Sequence, residues 1–189
     1  MSAVVPTRRL LVRDEAPPHV LSELAADEGW LLDGVVEPSP GVPGQEIYLT
    51  DRDGTMGYLM DDPVLGVRYL LLEGPDADAL ADELGGRPGF MPLDEALEAL
   101  AGATDAPGIV DGLYFVAASA PPEQDDRVVA ALDRAAGHDD PQVRRAVIVA
   151  SGYLPWPPMR ALLERLQSDP DEAVRRDAGI MLEGKDLYE

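Results

Sequence analysis

Asp51 and Asp53 are the residues best typed and spaced for chemistry: two carboxylates one residue apart, followed by Gly54 and Thr55. Paired carboxylates on one loop supply the hard oxygen ligands that Mg²⁺ and Ca²⁺ prefer. A calcium-binding loop requires further ligands at fixed spacing and a closing glutamate, which the residues after Asp53 do not supply. The physical alternative is a turn. Glu46-Ile47-Tyr48-Leu49-Thr50 and Thr55-Met56-Gly57-Tyr58-Leu59-Met60 both read as strands, and Asp53-Gly54 between them is a hairpin signal.

Other chemical constellations are sparse. His19 and His138 are the only histidines, which excludes a histidine-rich metal site and leaves only a mixed histidine–carboxylate one. Both fall near helix ends, where exposed or capping roles are expected. Ser22, Ser119, Ser151 and Ser168 lack the context of a nucleophile elbow, and Gly85-Gly86-Arg87-Pro88-Gly89 lacks the lysine of a phosphate loop. With no cysteine, disulfides, thiolate metal sites and cysteine nucleophiles are excluded. The expectation is therefore no catalytic residue, no metal and no cofactor.

The elements that would position these groups divide at about residue 90. Before it, Leu10-Leu11-Val12 reads as a strand and His19 to Ala26 as a helix that Gly29 stops. Trp30 to Val36 begins the next strand; after the hairpin, Val64 to Glu73 is another, with Val67, Tyr69 and Leu71 alternating. Asp76 to Leu84 is an amphipathic helix with Asp76 at its cap and Gly85-Gly86 at its end. Residues 1–90 are thus predicted to form an α+β module, a small sandwich with two helices on one face of a largely antiparallel sheet.

Residues 91–189 nearly lose the strand signal. Helical patterns alternate with Pro, Asp and Gly, and predict about three hairpins: 93–100 with 109–118, 123–136 with 141–152, and 157–167 with 171–182. Asp140-Pro141-Gln142-Val143-Arg144-Arg145 recurs as Asp171-Glu172-Ala173-Val174-Arg175-Arg176 after 31 residues. A fixed period of that size signals stacked helical hairpins. Asp105-Ala106-Pro107 begins a degenerate first copy that lacks the double arginine. Asp140 and Asp171 are placed to cap the helices they precede.

Asp-Pro-x-Val-Arg followed by a face of small and apolar residues resembles short HEAT-like repeats, including those of phycobilisome-lyase-type HEAT proteins. The resemblance covers about half the chain, from residue 92 onward, and implies an all-α repeat domain. It also implies that Asp140, Arg144, Asp171 and Arg175 form a ladder joining successive repeats. Arg145 and Arg176 would then face solvent as a small basic ridge and a candidate contact site. Trp156, among Pro155, Pro157 and Pro158, fits both inter-repeat packing and a binding hot spot. Separately, Ile47 to Thr55 resembles the first motif of haloacid-dehalogenase-type phosphatases. That resemblance implies Asp51 as nucleophile and Asp53 as general acid/base, both holding Mg²⁺. The family's downstream lysine and acidic pair have no match, because the only lysine is Lys185, near the end of the chain.

The chain carries 36 acidic against 15 basic side chains, for a net charge of −21. Both halves share it: six basic against 17 acidic residues through Met91, and nine against 19 from Pro92. A field of that sign repels phosphate backbones and favours basic protein partners. Neither a signal peptide pattern nor an apolar run near the bilayer span of roughly 20 residues occurs, so no membrane partner is expected and the cytoplasm is the default location. These features predict a non-enzymatic protein–protein interaction module: a scaffold, a regulatory adaptor, or an acidic inhibitor or immunity-type protein for a basic partner. A Mg²⁺-dependent phosphatase built on Asp51 and Asp53 is the alternative.

Overall fold

The structure, a computed structural model, describes residues 5–16, 19–39 and 42–186. Two compact units divide it, Met1–Pro92 and Leu93–Glu189. Together they form an α+β arrangement, a six-stranded antiparallel sheet followed by a run of helices.

The first unit runs β1 (Thr7–Val12), α1 (Val20–Asp27), β2 (Leu31–Val36), β3 (Gly44–Leu49), β4 (Met56–Asp62), β5 (Val67–Glu73), α2 (Ala77–Leu84) and β6 (Phe90–Met91). The strand order is β2-β3-β4-β5-β1-β6, with every neighbour antiparallel. β6 pairs Phe90 with Val12 and Met91 with Leu11. Two residues are too few to show a period, and the sequence gives no hint of this strand.

Leu21, Leu24 and Ala25 of α1 and Leu80, Ala81 and Leu84 of α2 meet Val12, Tyr48, Leu70, Leu72 and Phe90 in one core. Burying each large apolar side chain there contributes about 1.5–3 kcal/mol. Gly57 makes room for the Trp30 ring, since a Cβ at that position would sit 3.1 Å from it. The alternation Val67, Tyr69, Leu71 is genuine, but it marks the face opposite the helices. On that face Tyr69 lies between Leu11 and Met60. The reverse register, Leu70 and Leu72, enters the helix-side core. Both faces of β5 are apolar, so alternation alone could not tell which one the helices cover.

The second unit comprises α3 (Leu93–Gly102), α4 (Ala106–Ser119), α5 (Asp126–Ala135), α6 (Pro141–Gly152), α7 (Pro157–Leu166) and α8 (Glu172–Asp186). α3 packs on α4 and α7 on α8, while α4, α6 and α8 pack side by side in succession. Leu113, Val116, Val128, Leu132, Val143, Val147, Leu163 and Val174 are all buried along this stack. Pro141 and Pro157 open their helices where a missing N–H costs nothing. Asp105, Asp125 and Asp140 each accept a backbone N–H from the first turn, from Gly108, Arg127 and Gln142. No helix among the described residues is long and apolar enough to cross a membrane.

Candidate functional site

Asp51 and Asp53 lie on the exposed turn between β3 and β4. β4 returns antiparallel to β3, pairing Leu49 with Met56. The turn is held by the Thr50 hydroxyl, which donates to Thr55 O at 2.7 Å and accepts from Arg52 N at 3.1 Å. Gly54 takes φ +73°, a left-handed conformation that L side chains resist. Thr55 is buried, and its hydroxyl oxygen accepts the Asp76 N–H at 3.1 Å, tying the turn to the start of α2. Asp76 occupies the cap position of α2, but its own side chain makes no cap bond. Arg52 reaches Glu83 of α2 at 2.9 Å. Gly54 and Thr55 of the phosphatase-like motif thus have structural roles, and Asp51 and Asp53 project into solvent. No group of three or more His, Asp and Glu side chains placed to hold a metal ion occurs among the described residues.

The ladder residues of the helical unit divide into two kinds. Asp140 and Asp171 are caps: Asp140 Oδ1 accepts from Gln142 N at 2.8 Å, and Asp171 Oδ1 from Ala173 N at 2.9 Å and Val174 N at 3.2 Å. Neither carries the link between hairpins. That link runs from Arg144 to Asp169, two residues before the repeated motif, with Nε–Oδ2 at 2.7 Å and Nη2–Oδ1 at 2.8 Å. Both side chains are nearly enclosed, 9% and 5% exposed. Arg144 Nη1 also donates to the carbonyls of His138 and Asp139 at 2.7 and 2.9 Å. The Arg144 hydrogen bonds hold the Asp169 carboxyl below the usual carboxylate range, outweighing burial.

Arg175 repeats half of this geometry. Its Nη1 donates to the carbonyls of Asp169 and Pro170 at 2.6 and 3.0 Å, the positions 31 residues after His138 and Asp139. The correspondence extends to the loop itself. His138 Nδ1 accepts the Asp140 N–H at 3.0 Å, as Asp169 Oδ1 accepts the Asp171 N–H at 2.8 Å. His138 therefore stands where Asp169 stands one hairpin later, and the first copy, lacking the double arginine, has no Arg144 to offer it.

Arg145 and Arg176 are exposed, and both converge on Asp177, Arg145 Nε at 2.7 Å and Arg176 Nη2 at 3.0 Å. Burial pushes the Asp177 carboxyl up, but the two guanidiniums bring it below its ordinary value. Both guanidiniums lie at the surface, and Asp177 offsets half of their charge. Trp156 is only 4% exposed, and its Nε1–H donates to Pro122 O at 2.8 Å. It clamps the α4–α5 loop to the start of α7, which takes its ring out of any solvent-facing contact surface.

One feature escaped the sequence. A cleft of about 600 Å³ opens between α3 and α5, floored by Leu97, Leu100, Ile109 and Ala131 and rimmed by Arg127, Arg134 and His138. Arg127 crosses its mouth to Asp94 at 2.7 Å. The only signal available was the degeneracy of the first repeat. Compared with known protein families, curated proteins and solved structures, the chain matches none.

Proposed function

We propose that the chain is a non-enzymatic interaction module in which an α+β unit accompanies three HEAT-like hairpins, acting as a scaffold, regulatory adaptor or acidic inhibitor of a basic protein. The observation that supports this most is the recurrence, at 31 residues, of one guanidinium geometry on loop carbonyls in the second and third hairpins. Repeating hairpins stack into a continuous side-chain surface, the usual architecture for gripping another macromolecule. The net charge of −21 adds the partner's sign. Most arginines of the helical unit are engaged internally, in the pairs Arg144–Asp169, Arg145–Asp177, Arg176–Asp177, Arg160–Glu164, Arg165–Asp133 and Arg127–Asp94, so the remaining carboxylates dominate the field that a partner meets. That field steers a basic protein inward, and Arg145 and Arg176 offer a local basic contact on which an acidic group of that partner registers.

Affinity purification with the intact chain and with an Arg145→Glu/Arg176→Glu variant, at low and moderate salt, tests the reading. The expected result is a basic protein held stoichiometrically by the intact chain at low salt, released as salt rises, and held less by the variant while its circular dichroism stays intact. Failure to hold any protein, together with Mg²⁺-dependent phosphomonoester hydrolysis that Asp51→Asn abolishes, would replace this reading with the phosphatase.

A further inference from the structure

We propose that β2 is the seam of a homodimer, in which a second copy of this chain adds its own β2 to the free sheet edge, antiparallel and across a two-fold axis perpendicular to the sheet.

The sheet has two edges and they differ. β6 closes one with two residues; β2 closes the other with six. Leu31, Leu32 and Val35 on β2 are 66%, 57% and 56% exposed. An edge strand presents a row of unpaired N–H and C=O groups, and proteins that must stay apart guard it with charged side chains, above all lysines, with prolines or with bulges. Neither β2 nor its neighbour β3 contains a lysine, an arginine or a proline. Asp33 is the only charge on β2.

The occupant is indicated by the bulge. Along a regular strand, residues 32 and 35 would point to opposite faces, because side chains alternate with period 2. Here the register shifts between Leu32 and Gly34, so Leu32 pairs with Tyr48 and Val35 with Glu46, both on the helix side of the sheet. Leu31, Gly34 and Val36 pair with Leu49, Ile47 and Gln45 on the other side. This single parity change makes β2 complementary to itself. When two copies run antiparallel with Asp33 of each opposite Gly34 of the other, Leu32 meets Val35 on one face and Leu31 meets Val36 on the other. The pairs Leu32–Val35 and Leu31–Val36 are then apolar, and each Asp33 lies against a glycine instead of its like-charged copy. A strand of unrelated sequence would have no reason to satisfy both faces at once.

Pairing uses the one long edge and leaves only β6 outside, so assembly stops at two copies, as an isologous contact does. A six-residue seam belongs among small interfaces, and the dimer should depend on concentration. Each copy carries −21, so screening should strengthen association. That salt dependence is opposite to the one expected for a basic partner, which separates the two proposals experimentally.

Analytical ultracentrifugation of the full chain across concentration and salt reads the mass directly. The expected outcome is a shift toward twice the chain mass as either rises, lost in Leu32→Lys/Val35→Lys with an unchanged circular dichroism spectrum. Since the protein has no cysteine, register is tested by mixing a tagged Leu32→Cys chain with an untagged Val35→Cys chain under mild oxidation. Unlike chains should cross-link severalfold more than in a Leu31→Cys and Val35→Cys mixture. A single-copy mass at millimolar concentration overturns the proposal and leaves the edge to some other strand. A dimer that ignores the lysines, or cross-links equally in both mixtures, places the interface elsewhere and overturns it too.

Discussion

Arg144 and Arg175 stand one repeat apart and reach equivalent pairs of loop carbonyls, yet only Arg144 finds a carboxylate in the following hairpin. The second hairpin has a successor to lock onto, and among the described residues the third does not. Identical motif residues therefore carry unequal energy: the local half of the interaction repeats with the sequence, while the half that crosses between repeats depends on what comes next. In a one-dimensional stack, stability is a sum of repeat and interface contributions, and here one arginine supplies both while its counterpart supplies only the first.

The largest test of that inequality is Arg144→Ala beside Arg175→Ala. Removing Arg144 leaves Asp169 buried without its counter-charge and strips a donor from two carbonyls, which should cost about 3–5 kcal/mol in urea unfolding. Removing Arg175 takes only hydrogen bonds to partly exposed carbonyls and should cost about 1 kcal/mol. Equal losses would mean that the Arg144–Asp169 contact adds nothing between hairpins.

Acid sharpens the same comparison. The folded-state pKa of Asp169 is lowered by the Arg144 hydrogen bonds, so the carboxylate contributes stability that is fully present above its unfolded value of about 3.9. That contribution is lost as pH falls below this value through the lower folded one. Unfolding free energies measured from about pH 6 down to about pH 2 should therefore drop more steeply for the intact protein than for Asp169→Asn. The variant should be the less stable of the two near neutrality. Parallel curves would show that Asp169 does not titrate against Arg144.

Why the sequence revealed one half of this and not the other follows from what a repeat encodes. Asp140 and Asp171 are legible because a cap acts within its own first turn, and the same holds for Pro141 and Pro157 at helix starts. The α+β class and the hairpins were legible from the change in hydrophobic period near residue 90. Asp169 was not, because its partner lies 25 residues away and its counterpart in the preceding loop is His138, a different residue type performing the same backbone bond. Trp156 gave an ambiguous signal for a related reason, since the Pro122 carbonyl that engages it is 34 residues distant. The bulge at Asp33 was invisible because a parity change in one strand exists only relative to its neighbour.

A smaller effect checks that the two repeats are equal where they should be. Asp140→Ala and Asp171→Ala each remove a side-chain acceptor from the first turn of α6 or α8, and each should lower stability by about 1 kcal/mol. The match matters more than the size. If Asp171→Ala costs as much as Arg144→Ala, the cap and the inter-hairpin link are not separable, and the inequality between hairpins belongs to the third hairpin as a whole.

The smallest effect belongs to the ridge. Arg145 and Arg176 are exposed and share Asp177, so when one is neutralised the other still faces that carboxylate. Exposed ion pairs are typically worth about 0–1 kcal/mol because water screens them and two long side chains must be held still. Arg176→Gln should therefore leave thermal unfolding almost unchanged, and Arg145→Gln should do slightly more, since Arg145 reaches Asp177 from the neighbouring helix whereas Arg176 is its chain neighbour. The double variant is the informative one. It leaves Asp177 with neither of its two guanidiniums, so its loss should exceed the sum of the single losses, in contrast to Arg144, where one substitution already exposes the full cost. An additive result would mean that the two arginines do not share the carboxylate in solution.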